Sequence, residues 1–143
     1  MIVVDQITKS FNDQKVLNGV CLEIKSGSVT SLMGRSGAGK SVLLKLMIGL
    51  EKPDSGRILV DDKDIVSCNL KQLNQIRVHF GVLFQEGALF DSLTVSENVA
   101  FPLRERTRLS SAEISEMVDS YLDQVGLLSH GHKFPSELSG GMR

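Results

Sequence analysis

The feature that most constrains this chain is the octapeptide GRSGAGKS, Gly34 to Ser41. It has the form G-x-x-x-x-G-K-[ST], the spacing of a phosphate-binding P-loop. A triphosphate packs many negative oxygens into a small volume, so its site needs many donors within a short radius. Glycines let the backbone bend around the phosphates and aim several N–H groups inward. Lys40 is expected to reach the β- and γ-phosphates as a mobile charge, and the Ser41 hydroxyl to help hold Mg²⁺. A following helix turns the positive end of its dipole toward the same anion. The context fits. VTSLMG, Val29 to Gly34, reads as a strand running into the loop. Lys40 to Leu50 reads as a helix, with Val42, Leu43, Leu46 and Met47 apolar at helical spacing. The competing reading is a glycine-rich strand-to-helix turn that binds nothing, and the strand–loop–helix context weighs against it.

A length of 143 residues fits one ordinary domain, and 41% hydrophobic residues are enough for a core. The net charge of −1, with no Lys/Arg-rich block at either end, argues against nucleic acid as a partner. Cys21 and Cys68 are far apart without metal-ligand spacing and read as free thiols in a reducing compartment. No apolar run approaches the ~20 residues of a membrane span. MIVVDQ at the start has no basic n-region of a signal peptide. The expectation is a cytoplasmic protein whose membrane role comes through a partner.

In chain order, Ile2 to Ile7 reads as a strand, with Phe11 just before a turn at Asn12 and Asp13. Gly19 to Lys25 alternates, placing Val20, Leu22 and Ile24 on one face, as in a half-buried antiparallel strand. Lys52 to Gly56 is a turn, Arg57 to Val60 a short strand, and Asp61 to Asp64 an acidic turn without EF-hand spacing. Leu70 to Arg77 reads as a short helix, and the apolar run His79 to Phe84 as a buried core strand ending at Gln85. A polar residue at that point can look into the crevice beyond a strand's carboxyl end, where its amide oxygen could hold Mg²⁺ and orient a water. Alone, Gln85 fits an ordinary loop residue better. Thr94-Val95-Ser96-Glu97 is a capping box opening a helix that Pro102 should end; Ser110 to Glu113 is a second. After the latter, Ile114, Met117, Val118, Tyr121, Leu122 and Val125 form an apolar stripe, and Gly126 is a natural terminator. The stripe reads as core packing. His130 and His132 are weak zinc evidence without further ligands.

LSGGM, Leu138 to Met142, resembles the signature motif of ATP-binding cassette (ABC) transporter ATPases. The P-loop, Gln85 and LSGGM occur in that family's order, and the resemblance covers essentially the whole chain. Val82 to Glu105 (VLFQEGALFDSLTVSENVAFPLRE), together with GRSGAGKSVLLK and PSELSGGMR, resembles more narrowly the ATPase subunit of Mla/Mce-type lipid transport systems. The resemblance implies an α/β P-loop NTPase fold: a RecA-like core with an N-terminal antiparallel β subdomain, plus part of the α-helical signature subdomain. It also implies a division of residues 1–143 into 1–86, the β subdomain and P-loop core half, and 87–143, the helical subdomain ending at the signature.

Roles follow from the same resemblance. Phe11 matches the aromatic residue that stacks on adenine; a partly buried core Phe is the plainer alternative. Gly34, Arg35, Ser36, Gly37, Ala38, Gly39, Lys40 and Ser41 match the phosphate cradle of ATP. Val42 stands where many members have Thr, which removes one hydroxyl contact. Gln85 matches the glutamine that contacts Mg²⁺ and links the site to a transmembrane permease. Lys40 and Gln85 are the catalytic candidates, and Ser41 and Gln85 those for Mg²⁺. Ser139, Gly140 and Gly141 match the signature residues that hold the γ-phosphate of ATP bound to a second copy, so ATP joins a homodimer. The family's Walker B carboxylates and switch histidine follow the signature, and this sequence reaches only Arg143. The expectation is therefore a truncated cassette that binds nucleotide, hydrolyses it hardly at all, and is marginally stable alone.

The function implied is an ATP-binding subunit that energises lipid transport, peripheral on the cytoplasmic face of the inner membrane, with an Mce-domain protein as a further partner. An ABC ATPase for another substrate class is one alternative, and a nucleotide-binding module without turnover is another. A kinase or GTPase would leave LSGGM unexplained.

Overall fold

Two left-handed residue pairs shape the sheet. Asn12 and Asp13 have φ of 46° and 65°, and Asp61 and Asp62 have 45° and 63°. Such pairs suit type I′ hairpin turns, whose twist matches that of the strands they join. The computed structural model describes residues 1–84 and 87–143. In it the first pair joins β1 (Ile2–Phe11) to β2 (Gln14–Ile24), with Phe11 opposite Gln14. The second joins β3 (Ser55–Val60) to β4 (Lys63–Asp64), with Val60 opposite Lys63. All pairings are antiparallel, in the order β2-β1-β3-β4. The acidic turn Asp61 to Asp64 is thus a hairpin tip, and Asp61 accepts a hydrogen bond of 2.6 Å from the amino terminus. Both predicted N-terminal strands exist and are longer than their sequence pattern alone marks.

Residues Met1–Gly81 form one compact unit and Val82–Arg143 another. In the first, α1 (Lys40–Met47) and α2 (Leu70–Arg77) cover the sheet. Val4, Ile7, Leu17 and Ile58 from the strands bury against Leu43, Leu46 and Met47 of α1 and Leu73 and Ile76 of α2. Burial of each such side chain contributes about 1.5–3 kcal/mol. Arg77 donates to the carbonyls of Ile48 and Gly49, so the end of α2 satisfies orphan carbonyls at the end of α1.

The second unit packs α3 (Val95–Arg106) against α4 (Ser111–Gln124). Both predicted capping boxes form. Glu97 accepts from Thr94 N at 2.7 Å while Thr94 Oγ1 accepts from Glu97 N at 3.2 Å. Ser110 and Glu113 repeat the pattern at 2.7 and 3.3 Å. Gly126, at φ 70°, ends α4 in a Schellman motif: its N–H donates to Asp123 O, and Leu127 N–H to Leu122 O.

Four expectations are corrected. Val29 to Gly34 is not a strand; Val29 is 97% and Met33 89% exposed. Nor is His79 to Phe84 a buried strand, with Leu83 87% exposed. β-rich runs become strands only when a neighbour accepts their ladder, and among the described residues neither run has one. Pro102 does not end its helix; α3 continues to Arg106. Proline's fixed φ is helical and its missing N–H removes one bond, while Val99 and Leu103 on either side pack on the core. The helix ends instead at Thr107, whose N–H and Oγ1 both donate to Leu103 O. In the α4 stripe, Ile114, Val118 and Leu122 are buried and Met117 is half-buried, but Tyr121 and Val125 are exposed. The buried three repeat every four residues, so the face that packs is narrower than the apolar stripe.

Candidate nucleotide-binding site

The P-loop lies between a free segment and α1, and its shape comes from two left-handed glycines. Gly37 has φ 78° and Gly39 φ 86°. That region costs any other residue type strain. Ala38 N–H donates to Arg35 O at 3.2 Å and closes the turn between them. A β-carbon on Gly39 would lie 2.8 Å from Leu17 Cδ2 and 3.0 Å from Val16 Cγ1. Gly39 is therefore small because β2 presses against it, and this contact seats the loop on the β1–β2 hairpin.

Gly39 is also the N-cap of α1, with no side-chain cap, and Leu43 N–H donates to its carbonyl at 2.8 Å. No acidic side chain stands in the first turn. The first-turn amides of α1 are thus presented without a carboxylate or hydroxyl to satisfy them, at the positive end of the helix. Lys40 Nζ donates to the carbonyls of Gly34 and Arg35, at 2.7 and 2.9 Å. The ammonium thereby spans the mouth of the loop. Arg35, Ser36, Gly37, Ala38 and Ser41 are exposed, and Val42 is half-buried among core residues. The donor set suits a polyphosphate: a mobile ammonium, a bent backbone and uncapped helix amides. The exposed Ser41 hydroxyl is a suitable oxygen ligand for Mg²⁺. Gln85, the other predicted Mg²⁺ ligand, lies outside the described residues.

Phe11 ends β1 and is 41% exposed. Lys9, two residues earlier, places its ammonium 5.2 Å from the Phe11 ring centroid. Lys9 Nζ also donates to Lys52 O at 2.7 Å and to Asp54 Oδ1 at 3.3 Å. Asp54 Oδ2 accepts from Ser10 N at 2.6 Å, and this backbone hydrogen bond holds the Asp54 carboxyl below its usual range. Lys9 pairs in register with Leu17, the residue that meets Gly39. One hairpin thus carries Phe11 and packs on the P-loop. Sequence reading passed over Lys9 and Asp54. The i, i+2 spacing of Lys9 and Phe11 was the available signal; the distant Asp54 left none.

The signature segment belongs to the second unit. Leu138 is 5% exposed and Met142 packs partly on the same core. Between them Ser139, Gly140 and Gly141 are all exposed. Met142 N–H donates to Ser139 O at 3.0 Å and Arg143 N–H at 3.2 Å, closing a turn. Two apolar anchors four residues apart thus hold a polar, side-chain-poor turn outward, where backbone amides can approach an anion.

A glycine-rich loop opening a helix beside an antiparallel sheet, with a small helical unit after it, is the architecture of a P-loop nucleotide-binding cassette. Residues 17–143 match the ABC transporter family, and the chain belongs to it. It is 50% identical over 142 residues to the probable ribonucleotide transport ATP-binding protein mkl of Mycobacterium leprae, covering 99% of this chain and 41% of that protein. It is 42% identical over 142 residues to the intermembrane phospholipid transport system ATP-binding protein MlaF of Haemophilus influenzae, covering 99% of this chain and 54% of that one. The fold superposes on the ATP-binding cassette MJ0796, solved as a dimer bound to ADP and Pi, with a TM-score of 0.87 and 31% identity. That match covers 99% of this chain and 65% of the solved one. The chain thus spans between two fifths and two thirds of the length of these relatives. Among the described residues, no helix is long and apolar enough to cross a membrane.

Proposed function

We propose that this chain is the nucleotide-binding portion of an ATPase subunit that energises an ABC transport system, with a lipid as the transported substrate. The observation that carries the reading is the P-loop, where Lys40 spans a glycine-bent backbone ahead of an uncapped helix. Gly34 to Ser41 cradle the phosphates of ATP, Lys40 neutralises the β- and γ-oxygens, and Phe11 stacks on the adenine. Ser41 and Gln85 are the ligands for Mg²⁺, which supplies charge neutralisation at the phosphates when bound. Ser139, Gly140 and Gly141 complete the site of a second copy, so the assembly is a homodimer joined by ATP. Hydrolysis is proposed for the whole protein, with Lys40 and Gln85 among its catalytic residues. The subunit works on the cytoplasmic face of the inner membrane against a transmembrane permease, alongside an Mce-domain partner.

Lipid as substrate is supported by the resemblance of Val82 to Glu105 to the Mla/Mce-type subunit and by the 42% identity to MlaF. The name of the Mycobacterium leprae relative favours a second reading, an ABC ATPase for another substrate class. Two measurements test these readings. Titration with a fluorescent ATP analogue, with and without Mg²⁺, should show saturable binding that Lys40→Ala weakens about tenfold to a hundredfold; binding unchanged by that substitution rejects the site. Purification of the tagged protein with its membrane partners should recover a complex with a permease, whose ATPase activity is stimulated by phospholipid. Stimulation only by a water-soluble solute establishes the second reading.

A further inference from the structure

Lys9, on the N-terminal hairpin, keeps only 15% side-chain exposure. A lysine so covered needs partners for its ammonium. Three groups converge on it: the carbonyl of Lys52 and the carboxylate of Asp54 from one distant loop, and the ring of Phe11 from its own strand. Asp54 is itself fixed, since its other oxygen accepts from Ser10 N and its own N–H donates to Thr8 O at 2.9 Å. The cation is therefore held in place, while the ring beside it stays 41% exposed.

We propose that Lys9 is a positioning residue for nucleotide binding: clamped by Asp54 and Lys52 O, it covers one face of Phe11 and prepares the other for the base. The inference rests on the reading of Phe11 as the platform for adenine and deepens it. Two physical effects act together. A cation within ~6 Å of a ring centroid attracts the ring electrostatically and limits its rotamers. The cation also draws π-density toward itself, so the uncovered face repels the π-cloud of a purine less. The base then meets a ring that is already oriented and less ordering is required on binding. The register pairing of Lys9 with Leu17, which touches Gly39, ties this platform to the loop that holds the phosphates.

The experiment compares ATP with inorganic triphosphate as ligands of the full chain, for the wild type, Lys9→Met, Lys9→Arg, Phe11→Ala and the Lys9→Met/Phe11→Ala double variant. Inorganic triphosphate probes the P-loop without a base and reports whether each variant is folded. Quenching of 1,N6-ethenoadenosine triphosphate fluorescence reports stacking directly. Lys9→Met should weaken ATP by about threefold to fivefold and reduce the quenching, and leave inorganic triphosphate unchanged. Lys9→Arg should restore both readouts, and the double variant should bind ATP no more weakly than Phe11→Ala. ATP affinity untouched by Phe11→Ala would mean that the platform reading itself is wrong. If Phe11→Ala weakens ATP while Lys9→Met does not, or the two losses add, the platform stands and the role of Lys9 is overturned. An equal loss of ATP and inorganic triphosphate in Lys9→Met also overturns it, because the effect is then on the fold.

Discussion

Gly39 and Leu17 are in such close contact that a β-carbon on the glycine would sit 2.8 Å from Leu17 Cδ2. The last glycine of the P-loop is thus fixed both by its φ of 86° and by the strand behind it. Gly39→Ala meets both obstacles. The strain and the clash together should cost about 1–3 kcal/mol and displace the first turn of α1. Urea unfolding combined with ATP titration should show lost stability and lost binding together. A variant as stable as the wild type with intact binding would show that the loop can be re-seated.

Lys40 behaves differently, because its ammonium is held by exposed backbone carbonyls at the loop mouth. Lys40→Met should leave unfolding within about 0.5 kcal/mol of the wild type. Hydrogen bonds to charged groups contribute about 1.5–3 kcal/mol, so ATP affinity should fall about tenfold to a hundredfold. Calorimetric titration beside a thermal melt separates the two quantities.

The capping boxes make the helical unit sensitive to acid. Hydrogen bonds from the Thr94 backbone and hydroxyl lower the Glu97 pKa, and those from the Ser110 hydroxyl and backbone lower that of Glu113, both from an ordinary 4.5. A carboxyl with a depressed folded pKa contributes stability that is present above the unfolded value and lost as pH falls through the folded one. The helical signal should therefore be steady above pH 4.5 and decline below it. Thr94→Ala or Ser110→Ala should cost about 1 kcal/mol at neutral pH and flatten that acid dependence. Circular dichroism against pH is the check.

In the signature segment, anchors and contact residues should separate cleanly. Leu138→Ala empties a buried position and should cost about 2–5 kcal/mol. Ser139→Ala lies on the exposed turn and should be neutral for stability, while reducing ATP-dependent dimerisation measured by light scattering. A Ser139→Ala protein that dimerises normally would remove Ser139 from the trans contact.

What the sequence revealed and what it hid follow one physical division. GRSGAGKS, the two capping boxes, α2 and the Gly126 terminator are local signals, written within a few residues, and the structure has them. The runs Val29 to Gly34 and His79 to Phe84 read as strands because they are apolar and β-rich, yet a strand needs a partner and none is described. Pro102 carried a stop signal that packing at Val99 and Leu103 overrides. Tyr121 and Val125 continue the apolar stripe of α4 but stand outside the face that packs. In the candidate site, Lys40 and the glycines were legible from spacing. The hold of Asp54 on Lys9 was not, since Asp54 comes from a loop more than forty residues away.

Among the described residues, the two buried clusters have no residue in common: one ends with positions before Gly81, and the other begins at Val95. Amide protons in each unit should therefore report the breathing of its own cluster. Loosening Ile58 would speed exchange through β1 and α1, and loosening Val118 would speed it through α4. Substitutions in the first cluster should be felt at the P-loop that packs on it, and those in the second at the signature turn that it anchors.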